Sequence, residues 1–293
     1  MNSFTIILPV YNDWHSLGVL LKQIEKLLIK TKNKFRLLLI NDGSTEKMSL
    51  KIKKSFYKNI EILNLKKNIG SQKAIATGLK YLLKNNNDNQ KHFIIMDSDG
   101  EDDPKKIIKI INIVSKNKDT NFITLNRTIR KESLLFSILY EVHLLLTFII
   151  TLKYIRFGNF TYLSKNSLKK ISNKKELWLA FSATVCKFLK KDYSIIASRK
   201  KRISGKSKMS YLNLIKHSIN IQNVFKKNIF LSYIIYSFLI SILFSSSFSF
   251  NIIFILITLF IFHFFIIVFF SQKMANGVTF NQCLNNIESI KKL

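Results

Sequence analysis

The segment Ile94-Ile95-Met96-Asp97-Ser98-Asp99-Gly100-Glu101-Asp102-Asp103-Pro104 places five carboxylates in seven residues directly after an apolar run. In an extended chain alternate residues share a face, so Asp97, Asp99 and Glu101 are expected to converge on one point. Three converging carboxylates repel one another unless a cation sits among them. Oxygen donors select a hard ion, Mg2+ or Mn2+, which also binds a diphosphate. Pro104 then opens a helix at its first turn, where proline is tolerated. An acidic helix cap is the simpler reading of such a run, but capping does not call for five carboxylates.

The elements that must position this cluster follow from the apolar pattern. Thr5–Leu8, Phe35–Ile40, Ile60–Leu65, Phe93–Met96 and Phe122–Leu125 are β-branched or apolar runs of strand length. Leu17–Ile29, Thr45–Phe56, Gln72–Leu83 and Lys105–Val114 carry apolar residues at helical spacing. This alternation predicts an α/β domain, a mostly parallel sheet covered by helices on both faces. Such sheets bind ligands at the carboxyl ends of their strands. Four polar clusters fall there: Tyr11-Asn12-Asp13, Asn41-Asp42-Gly43-Ser44, Lys66–Gly70 and Asp97–Pro104. Further along, Gly158–Ser164 and Tyr193–Ala197 read as strands and Leu177–Leu189 as a helix.

Composition divides the chain in two. A mean hydropathy of +0.12 beside 47 Lys and Arg implies a charged part joined to a strongly apolar part. The net charge of +30 favours anionic partners such as nucleotide phosphates, a lipid phosphate or an anionic bilayer. Nucleic acid is disfavoured, because the basic residues are dispersed while the acidic ones cluster. Cys186 and Cys283 lie far apart without His neighbours, giving neither a zinc pattern nor a disulfide framework. Phe4–Leu8 is too short for a signal peptide and reads as a first strand. Ser133–Leu152 is apolar but holds Glu141 and His143, so it reads as an interfacial helix or a buried core helix rather than a span. Met209–Val224 is amphipathic. Ile229–Phe244 and Asn251–Phe270 are each about the length needed to cross a hydrocarbon core of ~30 Å.

Taken together, Leu8-Pro9-Val10-Tyr11-Asn12, Asn41-Asp42-Gly43-Ser44-Thr45, Asn68-Ile69-Gly70 with Gly78, Asp97-Ser98-Asp99 with Asp103-Pro104, and Arg202-Ile203-Ser204-Gly205-Lys206-Ser207-Lys208 resemble a family 2 glycosyltransferase of the GT-A fold. The resemblance is to the polyprenyl-phosphate, dolichol-phosphate-mannose-synthase-like branch. It implies a Rossmann-like GT-A catalytic domain over 1–208, a juxtamembrane helix over 209–228, a two-helix transmembrane hairpin over 229–271 and a cytoplasmic tail over 272–293. It further implies that Pro9, Tyr11 and Asn12 flank the nucleotide, that Asp42 hydrogen-bonds the base, and that Gly70 and Lys73 lie at its phosphates. Asn41 stands where the family carries the first acid of a pair. Asp97 would contact ribose or metal, and Asp99 and Glu101 the metal. Arg202, Ser207 and Lys208 would meet the diphosphate or an acceptor phosphate. Apart from the resemblance, Arg127 and Arg130 after the fifth strand either stand in solvent or, by the fork of their guanidinium groups, meet a phosphate, and Lys200, Lys201 and Lys206 read as a solvated basic loop. Asn159 falls where many relatives carry an acid sometimes considered catalytic, and an amide cannot act as a base.

The implied reaction is inverting transfer of a sugar from a UDP- or GDP-sugar to a polyprenyl phosphate, in bacteria undecaprenyl phosphate. A lipid monophosphate is already anionic near neutral pH and needs no base to attack. A second reading makes the acceptor a glycan hydroxyl, with Asp102 or Asp103 as base, and a third is a non-catalytic membrane scaffold. The sequence allows an oligomer. Lys226 and Lys227 before the first apolar run and Lys273 after the second put both flanks on the cytoplasmic side of a bacterial inner membrane. A cysteine placed at Ser247 should therefore react with an impermeant thiol reagent in whole cells, and one at Ser44 should not; the reverse pattern would refute the orientation.

Overall fold

A computed structural model describes residues 2–50, 52, 55–85, 90–127, 134–205, 211–244, 250–275 and 280–293. In chain order the elements are β1 (Ser3–Val10), α1 (Trp14–Leu28), β2 (Lys34–Asn41), β3 (Tyr57–Leu65), α2 (Ser71–Lys84), β4 (His92–Ile95), α3 (Lys105–Lys116), β5 (Phe122–Arg127) and α4 (Leu134–Thr151). There follow β6 (Phe157–Ser164), α5 (Lys165–Ser172), a 3-10 turn (Lys175–Trp178), α6 (Phe181–Phe188), β7 (Tyr193–Ala197), α7 (Tyr211–Val224), α8 (Lys226–Phe244), α9 (Phe250–Ala275) and, after a second 3-10 segment at Phe280–Asn286, β8 (Ile287–Lys292). Two compact units result. One holds Met1–Glu132, Arg156–Lys208 and Phe280–Leu293, and the other Ser133–Ile155 and Met209–Thr279.

The first unit is built on one sheet in the order β7-β5-β6-β4-β1-β2-β3-β8. Strands β1 to β4 are mutually parallel where they pair, as are β5 and β7, while β6 runs antiparallel to β4 and β5. The α/β class expected from the alternation is what forms. Side-chain alternation splits the core into two layers. Phe4, Ile6, Leu8 and Val10 of β1 pack with Leu17, Leu20 and Ile24 of α1 and Ile107 and Ile110 of α3. Ile7, Leu38 and Ile40 face Ala74, Ile75 and Leu79 of α2 together with Phe181 of α6. Burial on both faces explains why these strands read as continuous apolar runs rather than alternating ones. Each such side chain stabilises the fold by roughly 1.5–3 kcal/mol. Helix α2 lies so close to β2 that a Cβ on Gly78 would stand 2.3 Å from Ile40 Cδ1.

Three expectations are corrected. The described residues of 45–56 form no helix, although Met48, Leu50, Ile52 and Phe56 do pack against the core. The backbone at the start of this segment is committed elsewhere: the N–H groups of Thr45 and Glu46 both donate to Asn12 Oδ1, at 2.9 and 3.1 Å, and Trp14 Nε1 donates to the Glu46 carbonyl at 3.1 Å. The helix expected over Leu177–Leu189 is interrupted where Ala180 turns extended, at φ −155° and ψ 119°. The segment read as a tail, 272–293, instead folds back in its second part. Strand β8 pairs antiparallel with β3, from Glu61↔Lys292 to Leu65↔Ile287. Cys283 is wholly buried, and Leu293 donates its N–H to the Ile60 carbonyl at 3.1 Å.

In the second unit α4 packs against α8. Ser232 Oγ and Tyr236 OH of α8 donate to the carbonyls of Ile150 and Ile149, at 2.7 and 2.6 Å, satisfying acceptors in the last turn of α4. One side of α4 is covered, with Leu144, Thr147 and Thr151 buried, while Ile138, Leu145 and Phe148 are exposed. Helices α8 and α9 coincide with the two apolar runs. Among the described residues no helix is long and apolar enough to cross a membrane; the side chains of α9 at 250–253, 267, 268 and 270–275 lie outside those described.

Removing Phe280–Leu293 should lower the thermal midpoint by roughly 5–10 °C, because it opens the β3 edge and uncovers apolar surface worth a few kcal/mol. An unchanged midpoint in a melting experiment would show that β8 is dispensable to the sheet.

Candidate active site

The loops after β1, β2 and β3 hold one another. Asn12 adopts a left-handed backbone, φ 47°, and links the first loop to the second. Besides the two amides its Oδ1 accepts, its own N–H donates to Ser44 Oγ at 3.0 Å and its Nδ2 to Thr45 Oγ1 at 2.9 Å. Asp42 links the second loop to the third: its two oxygens accept from the N–H groups of Ile69, 2.8 Å, and Gly70, 2.9 Å. Gly43 and Gly70 take φ 64° and 89°, and a Cβ on Gly43 would meet the Lys67 carbonyl carbon at 2.3 Å. Pro9 lies beyond the end of the β1–β4 ladder, whose last pair is Ile7↔Ile95, so its missing N–H leaves no ladder bond unmade. Amides continue the linkage sideways. Ser44 N–H donates to Asn41 Oδ1 (3.1 Å), Asn41 Nδ2 to Asn64 Oδ1 (2.9 Å), and Asn64 Nδ2 to Ser289 Oγ of β8 (3.0 Å).

The acidic segment is not the extended row expected of it. Strand β4 ends at Ile95, and Gly100 turns the chain at φ 78°, so the two-residue alternation does not carry through to Glu101. Asp97, Asp99 and Glu101 therefore do not converge as one triad. A basic loop that follows β7 closes over them. Lys200 and Ile203 donate backbone N–H groups to the carbonyls of Glu101 (2.8 Å) and Asp99 (3.1 Å). Ile203 lies on Gly100 so closely that a Cβ there would meet its Cδ1 at 2.2 Å. The charges then pair off: Arg199 with Glu101, Lys200 with Asp103 at 2.9 Å, and Arg202 with both Asp13 and Asp99, the latter at 3.3 Å. Arg202 Nε also donates to the Ser204 carbonyl at 2.9 Å. Lys200, expected in solvent, is exposed and also pairs with Asp103.

No group of three His, Cys, Asp or Glu side chains is gathered for a metal among the described residues. The donor chemistry of Asp97 and Asp99 fits a hard cation all the same. Burial, and next the charge of Asp97, push the Asp99 carboxyl up, against the pull of the Glu101 amide and of Arg199 and Arg202. Two carboxylates close enough to repel in a desolvated place are relieved by a cation between them. Asp102, 6 % exposed, turns back to accept the Asp97 N–H at 3.2 Å. Burial raises Asp103, but the hydrogen bond from Lys200 and the Lys105 amide outweigh it and hold the carboxyl below its ordinary range.

Of the other expected residues, Tyr11 lies half-buried in the first loop. Lys73 points to the 3-10 turn, its Nζ 5.3 Å from the centre of the Trp178 ring, and burial followed by the charge of Lys67 lowers its ammonium. Arg127 ends β5, its side chain outside those described, and Arg130, Lys206, Ser207 and Lys208 lie outside the described residues. Sequence reasoning missed Asp13, Arg199 and Gln72. It noted Asn159 only as a departure, yet Asn159 Nδ2 donates to Asp97 Oδ1 at 2.7 Å. Only the clustering of Arg199, Lys200, Lys201 and Arg202 opposite an acidic run signalled the ion pairs.

Fold and site together define a transferase of GT-A architecture. Residues 5–195 match glycosyl transferase family 2, and the chain belongs to that family. It is similar to YkcC, an uncharacterized glycosyltransferase of Bacillus subtilis, at 27% identity over 111 residues, 37% of this chain and 32% of that protein. It is also similar to the dodecaprenyl-phosphate galacturonate synthase of Rhizobium johnstonii, at 24% identity over 113 residues, 37% of this chain and 31% of that one. The matches thus span about a third of the length of these curated relatives. Among solved structures, glucosyl-3-phosphoglycerate synthase from Mycobacterium tuberculosis in complex with UDP superimposes with a TM-score of 0.52 at 11% identity, over 78% of this chain and 80% of that one, a likeness of fold.

The buried loop carboxylate makes a pH test. Burial pushes Asp42 up to about 6, against the two amide bonds that pull it down. With a raised folded-state value, its contribution to stability is fully present below the ordinary value of 3.8 and is lost as pH rises through about 6. Relative to Asp42→Asn, the wild type should lose about 3 kcal/mol between roughly pH 4 and pH 7. Thermal melts of both proteins across that range would measure it, and a constant difference would overturn the assignment.

Proposed function

We propose that the chain transfers a sugar from a UDP- or GDP-sugar to a polyprenyl phosphate at the cytoplasmic face of a bacterial inner membrane, inverting the anomeric carbon. The observation that carries this reading is the acidic loop of Asp99, Glu101 and Asp103, beside Asp97, faced by Arg199, Lys200 and Arg202. Facing charges of both signs suit a diphosphate that must be held and then released. The acceptor phosphate oxygen forms a bond to the anomeric carbon as the bond from that carbon to the nucleoside diphosphate breaks. Asp97 and Asp99 would hold Mg2+ or Mn2+, whose chemistry there is to neutralise charge on the departing diphosphate. Arg202, released from Asp13 and Asp99, offers a planar fork to phosphate oxygens.

The choice of a phosphate acceptor over a hydroxyl rests on the want of a base. Asp102 is buried against the Asp97 N–H, Asp103 is held low by Lys200, and position 159 is an amide. A phosphate acceptor needs none. The name of the Rhizobium relative points the same way. Anchoring falls to α8 and α9, whose exposed Phe230, Leu231, Phe238, Phe254, Phe262 and Phe265 have apolar surface to bury in lipid.

Purified full chain in detergent, given undecaprenyl phosphate, Mn2+ or Mg2+ and a panel of nucleotide-sugars, should yield a lipid-linked sugar. Asp99→Ala, or EDTA on the wild type, should cut turnover at least a hundredfold. Undiminished turnover by Asp99→Ala in excess chelator would end the metal mechanism. Transfer to a saccharide hydroxyl with none to the lipid would establish the second reading.

A further inference from the structure

The β4–β6 ladder ends at Ile95↔Thr161, so Asp97 and Asn159 face each other two steps beyond it. Pairing of β5 with β6 is irregular here, passing from Thr124↔Thr161 to Asn126↔Phe157, and such irregularities re-aim side chains beside functional sites. Asn159 is 9 % exposed. Its Nδ2 donates to Asp97 Oδ1 at 2.7 Å, and its Oδ1 accepts from Gln72 Nε2 at 3.1 Å. Gln72 Oε1 in turn accepts the backbone N–H of Phe181 at 2.8 Å.

The direction of this chain is not arbitrary. A backbone N–H can only donate, so it fixes the oxygen of Gln72 toward Phe181 and the NH2 of Gln72 toward Asn159. That forces the oxygen of Asn159 toward Gln72 and its NH2 toward Asp97. We propose that Asn159 and Gln72 are positioning residues, a two-amide relay anchored on the Phe181 N–H that holds the Asp97 carboxylate in one orientation. The proposal deepens the donor-site reading of Asp97 and rests on it for its role in binding. An acid at position 159 would face Asp97 with a like charge, so Asn159→Asp impairs this enzyme rather than restoring a lost base.

Gln72→Glu tests the direction without touching Asp97. A glutamate still accepts from Phe181 but cannot donate, so Asn159 must rotate and present oxygen to oxygen at Asp97. A carboxylate in the first turn of α2 is otherwise favourable. In the full chain in detergent, calorimetric binding of UDP, or of GDP where UDP does not bind, with Mn2+ should weaken about tenfold in Gln72→Glu. On an Asn159→Ala background Gln72→Glu should weaken it no further; equal weakening on both backgrounds overturns the relay. A second arm needs no nucleotide. Gln72→Glu should lower the thermal midpoint by a few degrees more in the wild type than in Asp97→Asn, where a rotated Asn159 meets a donor and the contact is rescued. Equal shifts on the two backgrounds also overturn the relay. Failure of both nucleotides to bind the wild type, with unequal shifts in the melts, would leave the relay standing and remove the donor reading instead.

Discussion

A chain with few acidic residues gathers five of them within one turn of loop, and that density cannot be packed without positive charge. The structure supplies the charge from its own sequence. The loop after β7 lays Arg199, Lys200 and Arg202 against Glu101, Asp103 and Asp99, and two backbone hydrogen bonds fasten one loop to the other. The Arg199–Glu101 and Arg202–Asp99 pairs are partly buried, so removing one member leaves a charge stranded in a desolvated place, which is dearer than the net worth of the pair. Strand β7 lies beyond β5 and β6, and the loop that leaves it returns to the end of β4.

The loops after β1, β2 and β3 are joined to one another on a different logic. Asn12 and Asp42 each bind backbone amides of a loop distant in sequence, so the three loops beyond the paired strand ends are tied to one another by side-chain oxygens. The same commitment explains why the described residues of 45–56 do not coil into the helix that their apolar spacing permits. Residues with short polar side chains compete with helical hydrogen bonding, and here the competitor lies on another loop.

Much of this was legible in the sequence. Period located β1 to β7 and helices α1 to α3, because each buries a regular face, and composition alone located the apolar α8 and α9. The positions of Asp42, Asp97 and Asp99 after strand ends were legible for the same reason. Their partners were not. Arg202 meets Asp13, and Asn159 meets Asp97, through strand orders that no local pattern encodes. The expected triad failed at Gly100, a single residue whose positive φ ends the alternation. Strand β8 escaped notice because Ile287–Lys292 is short, charged and exposed, as an edge strand is.

That edge strand has a consequence for how the protein is made. Strand β3 belongs to the first part of the chain, and its neighbour β8 follows all of α7, α8 and α9. During synthesis the β3 edge therefore stands open, able to pair with other chains, until the ribosome has passed the apolar helices. The amide series Ser44–Asn41–Asn64–Ser289 is likewise complete only then. Since the segments on either side of α7–α9 lie in one sheet, any passage of those helices through a bilayer must be even in number.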